Sequence, residues 1–218
     1  GQEKIFAAGF GFARAGRERA ADEFDLAVHV RGNAMHRTDK SAVKLNLGCG
    51  PHQIFNDHIN VDITKFPGVD IVQDLFLFPW SSLQKYEQRV DTILCSHLVE
   101  HIPHDVHTAT DYPLAAWDGF YCFFYECWKL LGPGGRMELS VPHARSNGAF
   151  QDPTHRRFLV ENTFSYLDPE TGYRPATLPF GFTQLEVILS VDPKVTDPTS
   201  ITSATARDAI DTQWNTIV

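Results

Sequence analysis

The sequence has little positive charge for the amount of negative charge it carries. Its 19 lysine and arginine residues stand against 27 aspartate and glutamate residues, a formal net charge of −8. Nucleic-acid binding draws most of its affinity from phosphate neutralisation by lysine and arginine, so this balance argues against a general DNA- or RNA-binding protein. The net charge does not exclude a local basic cluster, for which the candidates are Arg136, Arg145, Arg156 and Arg157.

Long apolar runs and paired cysteines are also missing. No apolar run approaches the roughly 20 residues that a helix needs to cross a bilayer, so we expect no membrane partner. No Cys-x-x-Cys pair occurs among the four cysteines, which are Cys49, Cys95, Cys122 and Cys127. This spacing favours reduced, mostly buried thiols in a cytoplasmic protein over disulfides or a zinc site.

From residue 43 onward, the chain alternates strand-like and helix-like segments. Between the last two predicted strands, residues 118–131 carry apolar side chains at helical spacing, and the Gly-Pro-Gly-Gly run that begins at Gly132 stops this helix. Such alternation predicts one α/β domain around a parallel sheet with right-handed crossovers. Short runs rich in β-branched or apolar residues mark the buried strands at residues 43–47, 59–63, 69–72, 90–95 and 137–141.

Both ends of the chain differ from this pattern. Residues 1–42 are predicted to be an N-terminal extension or cap, with one charged helix over residues 14–30, ahead of a main domain at residues 43–218. A further strand is predicted at residues 182–191. Residues 214–218 are predicted to begin a last strand that the chain does not finish.

The first motif with a chemical meaning is the turn Gly48-Cys49-Gly50, which directly follows the first predicted strand. Glycine is needed where a side chain would block the approach of the backbone to a ligand. A dinucleotide fingerprint would place a third glycine three residues on, but Pro-His-Gln follows Gly50 and no Walker lysine is present, so a pyrophosphate cradle is disfavoured. The crossover to His58 is short, which predicts a very short first helix starting at Pro51.

Two acids follow the next two strands. Asp62 lies at the end of the second strand, where a carboxylate suits a bidentate hydrogen bond to the two hydroxyls of a ribose. Asp74 follows the third strand and is placed to accept a hydrogen bond from an exocyclic amine. Each acid alone could simply cap a turn, but together beside the Gly48–Gly50 turn they indicate an adenosine-bearing ligand.

In this order the motifs resemble those of class I S-adenosylmethionine-dependent methyltransferases, over residue 43 to about residue 167. The resemblance implies a doubly wound, mainly parallel sheet of the seven-stranded, Rossmann-like type. The five predicted strands would lie in the order 3-2-1-4-5, with any last pair beyond the fifth. It also implies S-adenosylmethionine as cofactor and residues 43–218 as the methyltransferase domain. Four later segments carry the resemblance as well: Phe78-Pro79-Trp80, residues 96–102, residues 126–135 and residues 151–158.

The resemblance also assigns the cofactor-binding residues. Asp62 would hold the ribose, and Asp74 with Leu75 the adenine. Asn46 stands where many members carry an acid, and it would accept a hydrogen bond from the amino group of the cofactor. The methionine and ribose part would be lined by Gly48, Cys49, Gly50, Ser96, His97 and His101.

Methyl transfer asks the protein mainly to align acceptor, methyl group and sulfur and to exclude water. For a hydroxyl acceptor a general base helps, and histidine is best placed by its pKa. We predict that His143 or His155 takes the proton, with Asp152 orienting His155, because both histidines follow the fifth strand and face the acceptor side. Residues 1–42 and the loop 142–157 are expected to cover that side. The alternative that Asp152 only caps a turn and pairs structurally with His155 stays open.

Histidines and acids also cluster after the fourth strand. Imidazoles at such spacing can chelate a metal, and ubiquinone-type O-methyltransferases, which this stretch resembles, are thought to use residues here for a divalent cation. Pro103 interrupts the helix that would align them, which favours a cofactor-lining or packing role for His97 and His101, and no metal. The cluster consists of His97, Glu100, His101, His104, Asp105 and His107.

The sequence therefore predicts an S-adenosylmethionine-dependent methyltransferase that acts on a small-molecule acceptor. O-methylation of a sugar or another hydroxyl-bearing metabolite is the leading reaction, by analogy with the group. A catalytically silent S-adenosylmethionine-binding or scaffold protein is the alternative, which the intact set of Gly48, Asp62 and Asp74 argues against. A nucleotide-dependent oxidoreductase is disfavoured by the missing third glycine.

Overall fold

The computed structural model describes residues 24–31 and 42–191 of the chain. Its two α-helices are α1 (Gly119–Leu130) and α2 (Asn147–Gln151), and short 3₁₀ turns lie at Ser81–Tyr86, Val99–His101 and Glu161–Leu167. The strands, in chain order, are β1 (Phe24–Arg31), β2 (Val43–Leu47), β3 (Ile59–Asp62), β4 (Ile71–Val72), β5 (Leu77–Phe78), β6 (Val90–Ser96), β7 (His107–Thr108), β8 (Leu131–Pro142) and β9 (Thr183–Val191).

One mostly parallel sheet organises these elements, in the order β4-β3-β2-β6-β8-β1-β9. The first five strands in that order run parallel, with Leu47 of β2 opposite both Val61 of β3 and Cys95 of β6. This confirms the predicted mainly parallel α/β sheet and the order 3-2-1-4-5 of its five predicted strands. Strands β5 and β7 pair separately as a two-stranded sheet.

The core lies on the central strands and on one face of α1. Leu45, Leu47, Ile93 and Cys95 are fully buried, as expected for strands with both faces covered. All four cysteines are free and buried, as the sequence predicts. Burial raises the pKa of the Cys95 thiol well above its usual value, with a smaller contribution from the Glu100 carboxylate. These thiols therefore act as small core side chains.

Helix α1 occupies the predicted position to within one residue at each end. Asp118 precedes the helix as its N-cap, and its carboxylate accepts a hydrogen bond of 2.7 Å from the Phe120 N–H in the first turn. The helix ends at Leu130, and β8 follows without a loop. Within residues 24–31 and 42–191, no helix combines the length and apolar character that crossing a membrane requires.

The crossovers on the β4 side of the sheet differ from the prediction, because residues 48–58 and 63–70 form turns and bends. No helix starts at Pro51. Side-chain amides hold this short connection instead, since the Asn60 Oδ1 accepts from the Phe55 N–H at 3.1 Å and its Nδ2 donates to the Phe55 carbonyl at 2.9 Å. A connection of this length has little room for a helix and two loops.

The segment 14–30, predicted to be a charged helix, is a strand where the structure describes it. Strand β1 runs antiparallel between β8 and β9, with Leu26, Val28 and Val30 buried on one face. A boundary at residue 43 would therefore cut through the sheet. Residues 1–23 and 32–41 lie outside the described residues, so a cap formed by them stays a prediction.

The end of the described chain contains the further strand that the sequence predicts. Strand β9 spans Thr183–Val191, one residue shorter than the prediction, and pairs with β1 along its whole length. The last predicted strand, at residues 214–218, lies outside the described residues.

Candidate functional site

The sequence-predicted cofactor residues meet at one edge of the sheet. Parallel strands present their carboxyl ends together, and ligands of open α/β sheets bind there, at the point where the strand order reverses. Here the order reverses between β2 and β6, because β3 and β4 extend the sheet to one side of β2, whereas β6 and β8 extend it to the other. Gly48 follows β2 at this reversal, and His97 follows β6.

The two glycines of the Gly48–Gly50 turn share a backbone conformation but differ in their surroundings. Both have a positive φ, +69° at Gly48 and +55° at Gly50, a conformation that side chains disfavour. A Cβ on Gly48 would lie 3.0 Å from the Leu98 side chain, so this position is closely packed against the turn after β6. A Cβ on Gly50 would meet no atom within 4 Å, so a ligand has room to approach the backbone there.

The Asp62 carboxylate is fixed against this turn. Its Oδ2 accepts from the Gly50 N–H at 2.8 Å, and its Oδ1 accepts from the Thr64 N–H at 2.9 Å. Asp62 is only 8% exposed, so its orientation is set by the protein. An ionised carboxylate has about four acceptor sites, so each oxygen can accept one further hydrogen bond, as from two neighbouring hydroxyls.

Asp74 lies beside Asp62 at the same edge. The Gln73 N–H donates to the Asp62 carbonyl at 2.9 Å, which ties the end of β4 to the end of β3. The Asp74 Oδ1 accepts from the Phe76 N–H at 2.9 Å, in a turn that orients the half-buried carboxylate. The acid therefore caps the turn after β4, the strand that pairs with β3 at Asp62.

Three other side chains expected to line the cofactor point into the protein. Asn46 is 1% exposed, and its amide donates to the Gln53 carbonyl and to the Asn60 Oδ1. Its own Oδ1 is buried and has no hydrogen-bond partner among residues 24–31 and 42–191. Leu75 packs in the core. Cys49 is buried as well, and burial, followed by the nearby Asp62 charge, raises its pKa to about 11. At these positions a ligand at the sheet edge would meet backbone.

The end of β6 carries a strained residue. His97 has φ +54°, unusual for a side chain that is not glycine, and its N–H donates to the Ser140 carbonyl at 2.8 Å. Its Nδ1 lies 3.3 Å from the Glu100 Oε1. Ser96, which is buried, precedes it opposite Ser140 in β8. Both residues lie at the edge, as the sequence predicts.

His143 has both ring nitrogens engaged. Its Nδ1 accepts from the Arg145 N–H at 3.1 Å, so in the neutral ring the proton is on Nε2, which lies 3.2 Å from the Glu161 Oε2. The residue is 2% exposed. These contacts suit a residue that fixes the chain after β8, and they leave no lone pair for a proton from an acceptor.

His155 contacts His101 instead of being held by Asp152. The two rings meet edge to face, with centroids 4.7 Å apart. The His155 Nδ1 lies 2.9 Å from the Ala149 carbonyl oxygen, whereas its Nε2 is 4.0 Å from the Asp152 Oδ2. Asp152 caps the turn by accepting from the N–H and the hydroxyl of Thr154, at 2.7 and 2.6 Å. These hydrogen bonds lower its pKa.

The backbone of this segment is fastened to the turn after β6. The N–H groups of Arg156 and Arg157 both donate to the Glu100 carbonyl, at 2.7 and 3.0 Å. The Arg157 guanidinium donates to the Ile102 and Pro103 carbonyls and pairs with Asp118 at 2.7 Å. Arg157 is therefore an internal clamp and no part of a surface basic cluster. The sequence identifies both segments but not their contact, which is purely tertiary.

Compared with protein-family models, curated proteins and solved structures, the chain has no significant match in any of the three. We therefore infer its function from its own residues and their geometry. The informative features are the acidic edge beside the Gly48–Gly50 turn and the histidine pair His101 and His155.

Proposed function

We propose that the chain is a class I S-adenosylmethionine-dependent methyltransferase acting on a small-molecule acceptor, with O-methylation of a hydroxyl-bearing metabolite as its reaction. The observation that carries the proposal is the Asp62 carboxylate, which is hydrogen-bonded to the Gly50 N–H where the strand order reverses. The position suits a ligand with a ribose, because both carboxylate oxygens have acceptor capacity left.

The edge fits an adenosine without a diphosphate. Diphosphate-binding sites of this architecture use the N-terminus of a helix directly after the glycine turn, where the N–H groups and the helix dipole favour negative charge. Here turns follow Gly50, and two acids, Asp62 and Asp74, flank the site. Both features favour a cofactor that carries a positive charge over a dinucleotide.

The residues of the chain would bind the cofactor and accept the proton of the acceptor. When bound, the cofactor supplies its own electrophilic methyl group. The open side of Gly50 admits it, Asp62 would hold the ribose and Asp74 would accept from the adenine amine. The contacts of His143 disfavour it as a base, so the proton of a hydroxyl acceptor is expected to leave toward the pair His101 and His155.

The test is isothermal calorimetry with S-adenosylmethionine and S-adenosylhomocysteine on the wild-type chain and on Asp62→Ala. Losing a hydrogen bond to a charged group costs roughly 1.5–3 kcal/mol, so we expect binding to weaken about 10- to 150-fold. Asp57→Ala is the matched control, because Asp57 is an exposed acid paired with Lys44. Its affinity should equal that of the wild type, and NAD should not bind.

Two results would count against the proposal. Unchanged affinity in Asp62→Ala would place the cofactor elsewhere, and absence of any binding heat would remove the cofactor itself. Cofactor binding without turnover across a broad panel of hydroxyl acceptors would instead support the silent binding protein.

A further inference from the structure

We propose that Glu100, His101 and His155 form a binding site for one divalent transition-metal ion. Each residue offers one ligand atom, and these three atoms lie within 4.8 Å of one another. Glu100 and His101 belong to the turn after β6, and His155 comes from the segment that the Glu100 carbonyl holds in place. Metal binding at this cluster is independent of whether the chain transfers methyl groups.

The hydrogen bonds of His101 fix which of its nitrogens is free. The Thr154 hydroxyl has a single proton, and it lies 2.6 Å from the Asp152 Oδ1, which can only accept. The contact of 3.0 Å between this hydroxyl and the His101 Nδ1 must then be donated by the ring. The His101 Nδ1 therefore carries a proton, and in the neutral ring the lone pair is on Nε2.

His155 reaches the same state by another route. Its Nδ1 lies 2.9 Å from the Ala149 carbonyl oxygen, which has no proton to give, so the ring donates through Nδ1. In the neutral form of both rings, Nε2 is therefore the available ligand atom. Metal-bound histidines almost always donate their other ring N–H to a carbonyl, a carboxylate or a similar acceptor, which is the arrangement found here twice.

Glu100 supplies the charge that such a site needs. The residue is 1% exposed, its Oε1 lies 3.3 Å from the His97 Nδ1, and its Oε2 is buried without a hydrogen bond in the described part of the chain. A buried carboxylate costs several kcal/mol unless a positive charge compensates it. A bound cation would provide that compensation at the unpartnered oxygen.

The donor set indicates the class of metal. Two imidazole nitrogens and one carboxylate oxygen suit zinc and its transition-metal neighbours, whereas magnesium and calcium prefer oxygen donors throughout. Metal–ligand bonds of about 2.1 Å place tetrahedral ligand atoms roughly 3.4 Å apart, so ligand atoms that lie within 4.8 Å of one another would need to close by at most about 1.4 Å.

Three protein ligands leave a fourth position open, as in catalytic zinc sites. If the proposed function holds, that position would receive the hydroxyl of the acceptor, whose pKa the metal would lower. With the metal bound, both imidazoles would be ligands, so the proton would leave to water beside the exposed Thr154 and not to the histidine pair. The histidine run His97, His101, His104 and His107 does not supply the ligand set. His104 pairs with Asp118 at 2.7 Å, and His107 is exposed on β7, so the third ligand comes from a distant segment.

The test is metal binding to the full chain after chelator treatment and dialysis, without S-adenosylmethionine. Calorimetry with Zn²⁺ should give one equivalent bound, and Co²⁺ should give the visible absorption bands of a low-symmetry nitrogen–oxygen site. We expect His155→Ala and Glu100→Gln to weaken binding more than 100-fold. His107→Ala, which removes an exposed imidazole, should bind as the wild type does.

Thr154→Val keeps the proposal falsifiable if a buried substitution prevents folding. It removes the hydroxyl that fixes the His101 tautomer, and changes of this kind beside a metal ligand typically cost about 10- to 100-fold in metal affinity. Thr154→Ser keeps a hydroxyl at this position, so its metal affinity should equal that of the wild type. Absence of stoichiometric binding, or equal affinities in the wild type, His155→Ala and Thr154→Val, would overturn the proposal, whatever the result with S-adenosylmethionine.

Discussion

Replacing Gly50 by alanine separates the conformational role of this glycine from its role at a ligand site. Its φ of +55° is left-handed, and a non-glycine residue there costs roughly 1–2 kcal/mol. In a domain of this size, 1 kcal/mol corresponds to a fall in Tm of about 2–4 °C. No atom lies within 4 Å of the added Cβ, so the chain itself adds no clash. Gly50→Ala should therefore fold with slightly lower stability.

Gly172→Ala is the matched control for this substitution. Gly172 has φ +74°, and a Cβ there also meets no atom within 4 Å, so both variants should lose similar stability in a thermal melt. Only Gly50 lies at the proposed cofactor edge, where the added methyl group would occupy the space that the ligand needs. Calorimetry should then show S-adenosylmethionine affinity reduced at least tenfold in Gly50→Ala and unchanged in Gly172→Ala. Equal affinities in the two variants would refute the reasoning.

Two further predictions concern the frame around the site. Burial raises the pKa of Asp118, but the Phe120 N–H, His104 and Arg157 outweigh it and hold the pKa below 3.8. The stabilisation from this carboxylate is therefore present above pH 3.8 and lost as pH falls through its lowered pKa. In urea melts, the difference in free energy of unfolding between the wild type and Asp118→Asn should become smaller in acid. A difference that stays constant with pH would contradict this. For His143→Ala we expect the free energy of unfolding in urea to fall by about 1–3 kcal/mol, because the variant loses a buried imidazole and its two part-buried hydrogen bonds, with unchanged S-adenosylmethionine affinity. A stable variant that no longer binds the cofactor would show that His143 belongs to the site.

The parallel strands and α1 could be predicted because their signals are local. Buried parallel strands are short apolar runs, and the face of α1 repeats at helical spacing. Strand β1 was missed although Leu26, Val28 and Val30 alternate with period two, because the charged residues before it suggested a helix. Its neighbours β8 and β9 lie more than a hundred residues away in the chain, so no local pattern identifies the pairing.

The candidate site was predictable only in part, for a related reason. Gly48, Asp62 and Asp74 meet because they follow adjacent parallel strands, a consequence of topology alone. Asn46 faces inward because β2 is a central strand with both sides covered, and its amide is used to hold a turn. The meeting of His101 with His155 depends on loop contacts that no spacing encodes.

A crystal structure of the chain with S-adenosylhomocysteine tests the central claim most directly. The account predicts the ribose hydroxyls within hydrogen-bonding distance of both Asp62 carboxylate oxygens. The backbone of Gly50 should lie against the ligand, and the adenine amine should lie near Asp74. A ligand bound at another place on the chain, or one at this edge whose ribose does not contact Asp62, would contradict it.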